Sequence, residues 1–184
     1  MEVGQEVSEV EVADLVFKDQ TERILNNTYR FLSFRPRSEK EIGDHLKTKF
    51  IFKEKLAQAE KEQIETSIKA AITKLKESGQ IDDDAFAEWW IEQRKSFKGL
   101  SNRVISAELL KKGIKKEKIT EELKESSTAK NEDAIIQKLA GKKALKLKNL
   151  PERQLREKLY QFLGRKGFEF EAVKRVVDTM TKNR

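Results

Sequence analysis

The stretch that decides the fold is residues 81–114, IDDDAFAEWWIEQRKSFKGLSNRVISAELLKKGI. Asp82 and Asp83 precede an apolar pattern, and acidic side chains at that position cap and favour a helix N-terminus. One side of the predicted helix carries its large apolar residues, Phe86, Trp90 and Phe97. The stretch therefore begins with an amphipathic helix.

A second helix follows the first after a glycine turn. The first is predicted to end at Gly99, because glycine adopts the left-handed conformation that closes helices at little cost. The second then begins at Ser101 or Asn102 and ends at Gly113. Its inward residues are predicted to be Val104, Ile105 and Leu109. The pair forms a basic helix-turn-helix unit that contains no evident catalytic group.

Similar signals predict helices along most of the chain. Pro36 must follow the end of a first helix, since the residue before a proline avoids helical geometry. Ser38 and Glu41 form the pattern of a capping box, in which both side chains bond backbone donors at a helix start. The other predicted helices span residues 21–34, 54–78, 115–126, 131–147, 151–163 and 169–181. The fold class is therefore predicted to be all-α.

Composition limits the kind of protein further. Charged residues make up 39 % of the 184 residues, and Gly and Pro number only 8 and 2, which favours helices over turn-rich β structure. The absence of Cys excludes disulfides and thiolate zinc sites. No apolar run reaches the roughly 18 residues of a membrane-spanning helix. We expect a soluble, cytoplasmic protein with no membrane partner.

Charge is distributed unevenly along the chain. Residues 1–20 carry six acidic side chains and one lysine, although the whole chain has a net charge of +7. Their alternation of Val and Glu predicts a strand-like or disordered acidic arm, which is compatible with the tail end of a longer segment. The remaining basic body attracts polyanions and acidic protein surfaces. A solvated lysine-rich surface is the alternative explanation.

The predicted helices form three related sets of three. Ser38, Ile42 and Leu46 mark the middle helix of the first set, and the second repeats this spacing at Ser101, Ile105 and Leu109. Leu109 precedes Gly113 by four residues, as Leu163 precedes Gly167. We expect three tandem three-helix repeats, at residues 21–80, 81–128 and 129–184. One irregular helical bundle remains the alternative.

Three of these motifs, in order, resemble the bacterial RecX regulatory proteins. The first is residues 31–41 (FLSFRPRSEKE), and the last is residues 162–168 (FLGRKGF). The second lies within residues 81–114 and consists of the Asp-Ala-Phe-Ala segment, Gly99 to Arg103 and the Leu-Lys-Lys-Gly segment. The resemblance covers about residues 21–182. It departs from the family in a long third helix with a polar start at residues 56–63, and in Lys166, where arginine is usual.

The resemblance implies an elongated, curved array of three repeats that acts as a monomer. Such a protein would bind the RecA recombinase filament on DNA, lie in the filament groove and inhibit ATP hydrolysis, strand exchange and coprotease activity. The basic repeats are compatible with this role, because a long positive surface suits acidic protein and DNA phosphate. A stand-alone basic helix-turn-helix DNA-binding protein is the alternative function.

Nine basic residues are candidates for contact with such a partner. Those of the first repeat flank Pro36, where guanidinium groups could bind carboxylates or phosphates in a forked geometry. Those of the second could form one basic face, and the last two hold the equivalent place in the third repeat. The candidates are Arg35, Arg37, Arg94, Lys98, Arg103, Lys111, Lys112, Arg165 and Lys166. A purely structural role is the alternative for each.

Other patterns argue against catalysis and metal binding. His45 is the only histidine, and one histidine without cysteine makes a poor metal site. The aspartates at 82–84 lack the spaced ligands of a calcium loop, so we expect helix capping there. Trp89 and Trp90 cannot both face one core, and packing between adjacent units is favoured over surface exposure. We therefore expect no enzyme, no cofactor and no metal.

Overall fold

The computed structural model describes residues 8–52, 55–125 and 129–182. All regular structure within those ranges is helical, which confirms the all-α prediction. The helices are α1 (Glu9–Leu32), α2 (Glu39–Phe50), α3 (Gln58–Glu77), α4 (Asp83–Gln93), α5 (Asn102–Lys111), α6 (Lys116–Glu125), α7 (Ala129–Lys146), α8 (Glu152–Arg165) and α9 (Phe170–Lys182). A π-helical turn, Arg94–Lys98, continues α4.

The chain divides into two compact units, Met1–Phe86 and Ala87–Arg184. The division falls within α4, a few residues after the predicted boundary between the first and second repeats. The first unit contains one set of three helices, and the second contains two. The boundary predicted at residue 128, the helix end predicted at residue 126 and the helix start predicted at residue 54 lie outside the described residues.

The core of the first unit is formed by one face of each of its three helices. α1 contributes Ile24 and Leu25, and α2 contributes Ile42 and Leu46, all buried. The buried residues of α3 lie at helical spacing, with Ile72 beside them partly buried: Ile64, Ile68, Ala71 and Leu75. Burial of such side chains contributes roughly 1.5–3 kcal/mol each, so this core holds the three helices together.

The acidic arm is helical where it is described, which corrects the prediction of strand or disorder for residues 1–20. α1 begins at Glu9, and Ser8 is its N-cap. The Ser8 hydroxyl accepts a hydrogen bond from the Glu11 backbone N–H, and the Glu11 carboxylate accepts one from the Ser8 backbone N–H. This capping box satisfies two helix donors and outweighs the weak preference of alternating Val and Glu for a strand. Residues 1–7 lie outside the described residues.

Two aspartates at the start of α4, Asp82 and Asp83, stabilise different helices. Asp82 Oδ1 accepts bonds from the backbone N–H groups of Asp84 and Ala85, which confirms the predicted cap of α4. Asp83 Oδ1 instead accepts from the backbone N–H of Glu39, 2.8 Å away at the start of α2. Partial burial raises the pKa of Asp83, a change that this hydrogen bond opposes.

The turns after α5 and α8 have the same geometry, as the sequence repeat predicted. Gly113 and Gly167 both have φ of 86°. Ile114 N–H donates to the Leu109 carbonyl and Phe168 N–H to the Leu163 carbonyl, the six-residue bond that closes a helix at a left-handed glycine. The second and third sets of helices therefore end their middle helices in the same way.

The π-helical turn changes the side of the helix on which Phe97 lies. The sequence pattern predicts Phe97 on the same side of the helix as Phe86 and Trp90, whereas the structure exposes 78 % of Phe97 and buries the other two. A π-turn adds a residue to the helical repeat, so side chains after it shift around the axis. Gly99 then ends the helix at φ 56°, as predicted.

The third set of helices packs around Leu155, Leu159 and Leu163 of α8. α8 is joined to α9 by a polar network in which Asp178 Oδ1 accepts from Arg156 Nη2 at 2.5 Å and from the Tyr160 hydroxyl at 2.8 Å. The hydrogen bond from Tyr160 and the charge of Arg156 lower the pKa of Asp178.

Asp178→Asn is expected to lower stability near neutral pH and to matter less in acid. A carboxylate whose pKa falls on folding stabilises the protein above its unfolded pKa, and that stability is lost as pH falls through the folded pKa. The melting temperatures of wild type and variant at about pH 6 should differ, and the difference should shrink towards about pH 2. Asp133→Asn is the control, since Asp133 pairs with Arg175 at an exposed site. A difference that does not change with pH would contradict the role of the Asp178 charge.

Candidate partner interface

The two candidate arginines of the first repeat are held by contacts within it. Arg35 binds Glu41 in a forked geometry, with Nη2–Oε1 at 2.8 Å and Nη1–Oε2 at 3.1 Å. Arg37 lies over the Phe31 ring, 3.9 Å from its centroid. Burial, followed by the charge of Arg35, lowers the pKa of Arg37. Both side chains therefore stabilise the loop between α1 and α2. This is the structural role that is the alternative to partner contact for these residues.

His45 contacts the same aromatic ring, Phe31, as Arg37 does. Its ring stacks on Phe31 with centroids 4.0 Å apart, and its Nε2 lies 3.1 Å from Asn27 Oδ1. In the part of the chain that the structure describes, no three His, Cys, Asp or Glu side chains are grouped so that they could hold a metal ion.

Two candidates of the second repeat pack on Trp90. The Arg94 guanidinium lies 3.8 Å and the Lys112 ammonium 4.1 Å from the Trp90 ring centroid. Glu108 Oε2 accepts from Trp90 Nε1 at 2.8 Å and from Arg94 Nε at 2.6 Å. These contacts stabilise both cations by cation–π attraction and an ion pair. Trp90 is buried and Trp89 half-buried, so the two rings do face different surroundings.

Four candidates surround a junction between the second and third sets of helices. We call Lys98, Arg103, Arg165 and Lys166 the junction cluster. The Lys166 ammonium donates to the Lys98 carbonyl, and Arg103 Nε donates to the Gly167 carbonyl at 3.3 Å. Arg165 precedes this turn and is exposed. The turn before α5 and the turn after α8 thus bring together basic residues that are far apart in sequence.

Ser101 fixes the junction. Its backbone N–H donates to the Lys166 carbonyl at 3.0 Å, and its hydroxyl donates to the Gly167 carbonyl at 2.8 Å. The same hydroxyl caps α5 by accepting from the Val104 N–H. Because Ser101 is buried, these bonds are protected from water, and a hydrogen bond there matters more than one at the surface.

The junction cluster concentrates positive charge. Burial, followed by the nearby charge of Lys98, lowers the pKa of Lys166. Nearby on the π-turn, burial also lowers the pKa of Lys95, an effect that the charge of Glu132 opposes. A binding partner with negative charge would relieve the repulsion between Lys98 and Lys166.

The remaining candidate lies apart from the cluster along α5. Lys111 is exposed at the C-terminal end of that helix, and Arg103 is near its start. At about 1.5 Å of rise per residue, roughly 12 Å of helix separates them. The predicted single basic face of the second repeat is thus divided into the Trp90 contacts, Lys111 and the junction cluster.

Two exposed aromatic side chains were not among the predicted site residues. Phe34 is 83 % exposed and Phe97 is 78 % exposed. The sequence does contain a signal for them, because each lies four residues before the serine that caps the middle helix of its set, Ser38 or Ser101. Their exposure depends on the ends of the preceding helices, which periodicity alone did not place.

The fold and the junction cluster define the class of protein. It is a helical-repeat protein with a cluster of basic residues on its surface. Family models for RecX match two parts of the chain, the second three-helix domain at residues 82–123 and the third three-helix domain at residues 131–177. None of the helices in the described ranges is both long and apolar enough to span a membrane.

Curated relatives match over most of the chain. The regulatory protein RecX of Bacillus velezensis is 32 % identical over 173 residues, which are 92 % of this chain and 60 % of the relative. That of Bacillus subtilis is 28 % identical over 95 % of this chain and 61 % of the relative. That of Clostridium perfringens strain 13 is 29 % identical, over 94 % of this chain and 75 % of the relative. The chain thus spans only about 60 % of the length of the Bacillus proteins.

Solved structures of RecX have the same fold. A crystal structure of regulatory protein RecX superposes with a TM-score of 0.68 at 25 % identity, covering 97 % of this chain and 81 % of the other. RecX from Lactobacillus salivarius gives a TM-score of 0.65 at 23 % identity and covers 89 % of this chain and 97 % of the other. The chain thus matches the second and third three-helix domains of RecX and is similar to RecX regulatory proteins along most of its length.

Proposed function

We propose that this protein regulates the RecA recombinase. It binds RecA filaments on DNA as a cytoplasmic monomer and inhibits their ATP hydrolysis, strand exchange and coprotease activity, without catalysing a reaction itself. The matches to the RecX domain models and to RecX regulatory proteins support regulation. The junction cluster is the observation that supports contact with a nucleoprotein filament. A filament offers phosphates and acidic side chains along its length, which suit a positive surface on a repeat protein.

The candidate residues then have two kinds of role. The side chains that bond or stack within the protein position the loops and helix ends: Arg35, Arg37, Arg94, Arg103, Lys112 and Lys166. The remaining candidates, which are exposed, contact the filament: Lys98, Lys111 and Arg165. The three predicted domains, residues 21–80, 81–128 and 129–184, are part of the same proposal.

Lys98→Ala/Arg165→Ala is expected to weaken inhibition of RecA. The wild-type protein should lower ATP hydrolysis by RecA on single-stranded DNA at substoichiometric ratios. The variant should need roughly fivefold more protein, because an exposed charge contact contributes about 0.2–1 kcal/mol. Steady-state ATPase titrations measure this concentration.

Lys115→Ala/Lys116→Ala is the charge-matched control, because both lysines are exposed near the start of α6 and lie outside the junction cluster. It should inhibit like wild type. Lack of inhibition by excess wild-type protein would refute the proposed function, whereas equal weakening of both variants would refute the role of the junction cluster. Tight binding to naked duplex DNA without RecA, with a steep salt dependence, would favour the stand-alone DNA-binding alternative.

A further inference from the structure

Phe34 and Phe97 occupy equivalent positions in two successive sets of helices. Each is four residues before the N-cap serine of the middle helix, Ser38 in α2 and Ser101 in α5. Each is followed by a basic residue, Arg35 or Lys98. The structure exposes 83 % of Phe34 and 78 % of Phe97. The same protruding aromatic side chain therefore occurs twice at one place in the repeat.

Packing within the protein does not explain this exposure. Phe34 follows the end of α1, and Phe97 lies on the π-helical turn after α4, so two different backbone conformations produce one result. Burial of a phenylalanine side chain would stabilise the protein, and neither set of helices gains that stabilisation. π-helical turns are frequent at functional sites. A large exposed aromatic side chain beside positive charge is suited to a ligand that is both flat and anionic.

We propose that Phe34 and Phe97 are stacking platforms for the bases of single-stranded nucleic acid. This inference rests on the proposed function and deepens it, since it names the chemistry that the repeats contact. An unpaired strand presents a planar base and a phosphate at every nucleotide, and bases stack on aromatic side chains regardless of sequence. In a duplex, the neighbouring base pairs already cover those base faces.

Charges near Phe97 can hold the phosphates of the strand. Lys98 follows it directly, and its carbonyl accepts a hydrogen bond from the Lys166 ammonium. Arg103 and Arg165 complete the junction cluster. Near Phe34, Arg30 is exposed in the last turn of α1, while Arg35 is held by Glu41. The first set thus offers fewer cations, and we expect Phe97 to contribute more to binding than Phe34.

The chain provides a matched control for this inference. Phe52 is 74 % exposed and also lies near lysine, at the turn after α2. It follows Ser38 by fourteen residues, and the equivalent residue after Ser101 is Lys115, so this aromatic side chain is not repeated. Phe52→Ala therefore removes one phenylalanine, about as exposed as Phe34 or Phe97, without touching the repeated position.

Fluorescence anisotropy with a labelled oligothymidine tests the inference in the absence of RecA. Phe34→Ala/Phe97→Ala should raise the Kd at least about tenfold, since stacking of a base on an aromatic side chain contributes strongly to such complexes. Phe52→Ala should change it less than about twofold. Because both residues are exposed, circular dichroism and melting temperature should match wild type.

A second pair of variants separates stacking from apolar contact. Phe34→Leu/Phe97→Leu keeps an apolar side chain but removes the π face, and it should bind as weakly as the alanine variant. Phe34→Tyr/Phe97→Tyr should bind like wild type. Full binding by the leucine variant would overturn base stacking, as would unchanged binding by the alanine variant or no binding by wild type. None of these results depends on RecA, so the proposed function is tested separately by the ATPase titrations.

Discussion

Gly167→Ala is expected to destabilise the unit that contains α8 and α9 by about 2–5 kcal/mol. Gly167 has φ of 86°, and holding an L-residue in left-handed geometry costs about 1–2 kcal/mol. An added Cβ would also overlap Val104 Cγ2 and lie 2.7 Å from Ser101 Oγ. Forcing a methyl group into such a packed site costs typically about 1–3 kcal/mol. Urea denaturation followed by circular dichroism measures the change in the free energy of unfolding.

Gly164→Ala is the matched control, three residues earlier in the chain. Gly164 lies in α8, and an added Cβ there meets nothing within 4 Å. Alanine should stabilise the helix by up to about 1 kcal/mol, because it has a higher helix propensity. Equal stability of Gly167→Ala and wild type would mean that the turn after α8 does not pack against Ser101 and Val104 as the structure has it.

Glu108→Ala should lower the free energy of unfolding by about 2 kcal/mol. It removes the carboxylate that accepts from Trp90 Nε1 and Arg94 Nε, and hydrogen bonds to charged groups contribute about 1.5–3 kcal/mol. The side chains of Arg94 and Glu108 are 18 % and 31 % exposed, so solvent screening places the loss in the lower part of that range. Chemical denaturation measures the loss, and the emission of Trp90 should shift.

Glu88→Ala is the corresponding control on α4, since Glu88 is an exposed glutamate on the same helix as Trp90. Its effect should be within about 0.5 kcal/mol of zero. If both glutamate variants lost the same stability, the Trp90 contacts would contribute nothing beyond an ordinary surface charge.

The junction cluster connects stability with the proposed function. Lys166 and Arg103 each donate to a backbone carbonyl across the turn, so their side chains fix the same junction that presents positive charge. A cluster held in this way loses less conformational entropy when it binds than separate flexible lysines would. This is why the test of partner contact uses Lys98 and Arg165 and leaves Arg103 and Lys166 in place.

Helix ends were the most predictable part of the fold. Ser38 and Ser101 cap α2 and α5, and Gly99, Gly113 and Gly167 have positive φ, as their sequence positions indicated. Caps and left-handed turns depend on chemistry within a few residues, so they can be recognised locally. The start of α1 differs from the prediction, because the alternation of Val and Glu favours a strand over the same residues in which Ser8 and Glu11 form a capping box.

The candidate site was less predictable than the fold. The sequence does not show which of the nine basic residues bond within the protein and which are available to a partner. Arg35 is bound by Glu41, six residues away, and Arg94 by Glu108, fourteen residues away. Charge counts contain no information about such pairing, because it depends on how the helices pack. Helical periodicity predicts Phe97 on the side of Phe86 and Trp90 because it assumes that no π-turn intervenes.

The sequence by itself determined the all-α fold, the repeated helix caps and glycine turns, and the resemblance to the RecX family. These follow from local chemistry and from motif order. Tertiary structure alone decided which cations meet at the junction of residues 98–103 with residues 165–167, and that Phe34 and Phe97 protrude. The physical reason is that a side chain's exposure and partners depend on contacts between segments distant in the chain, whereas caps and turns are formed within a few neighbouring residues.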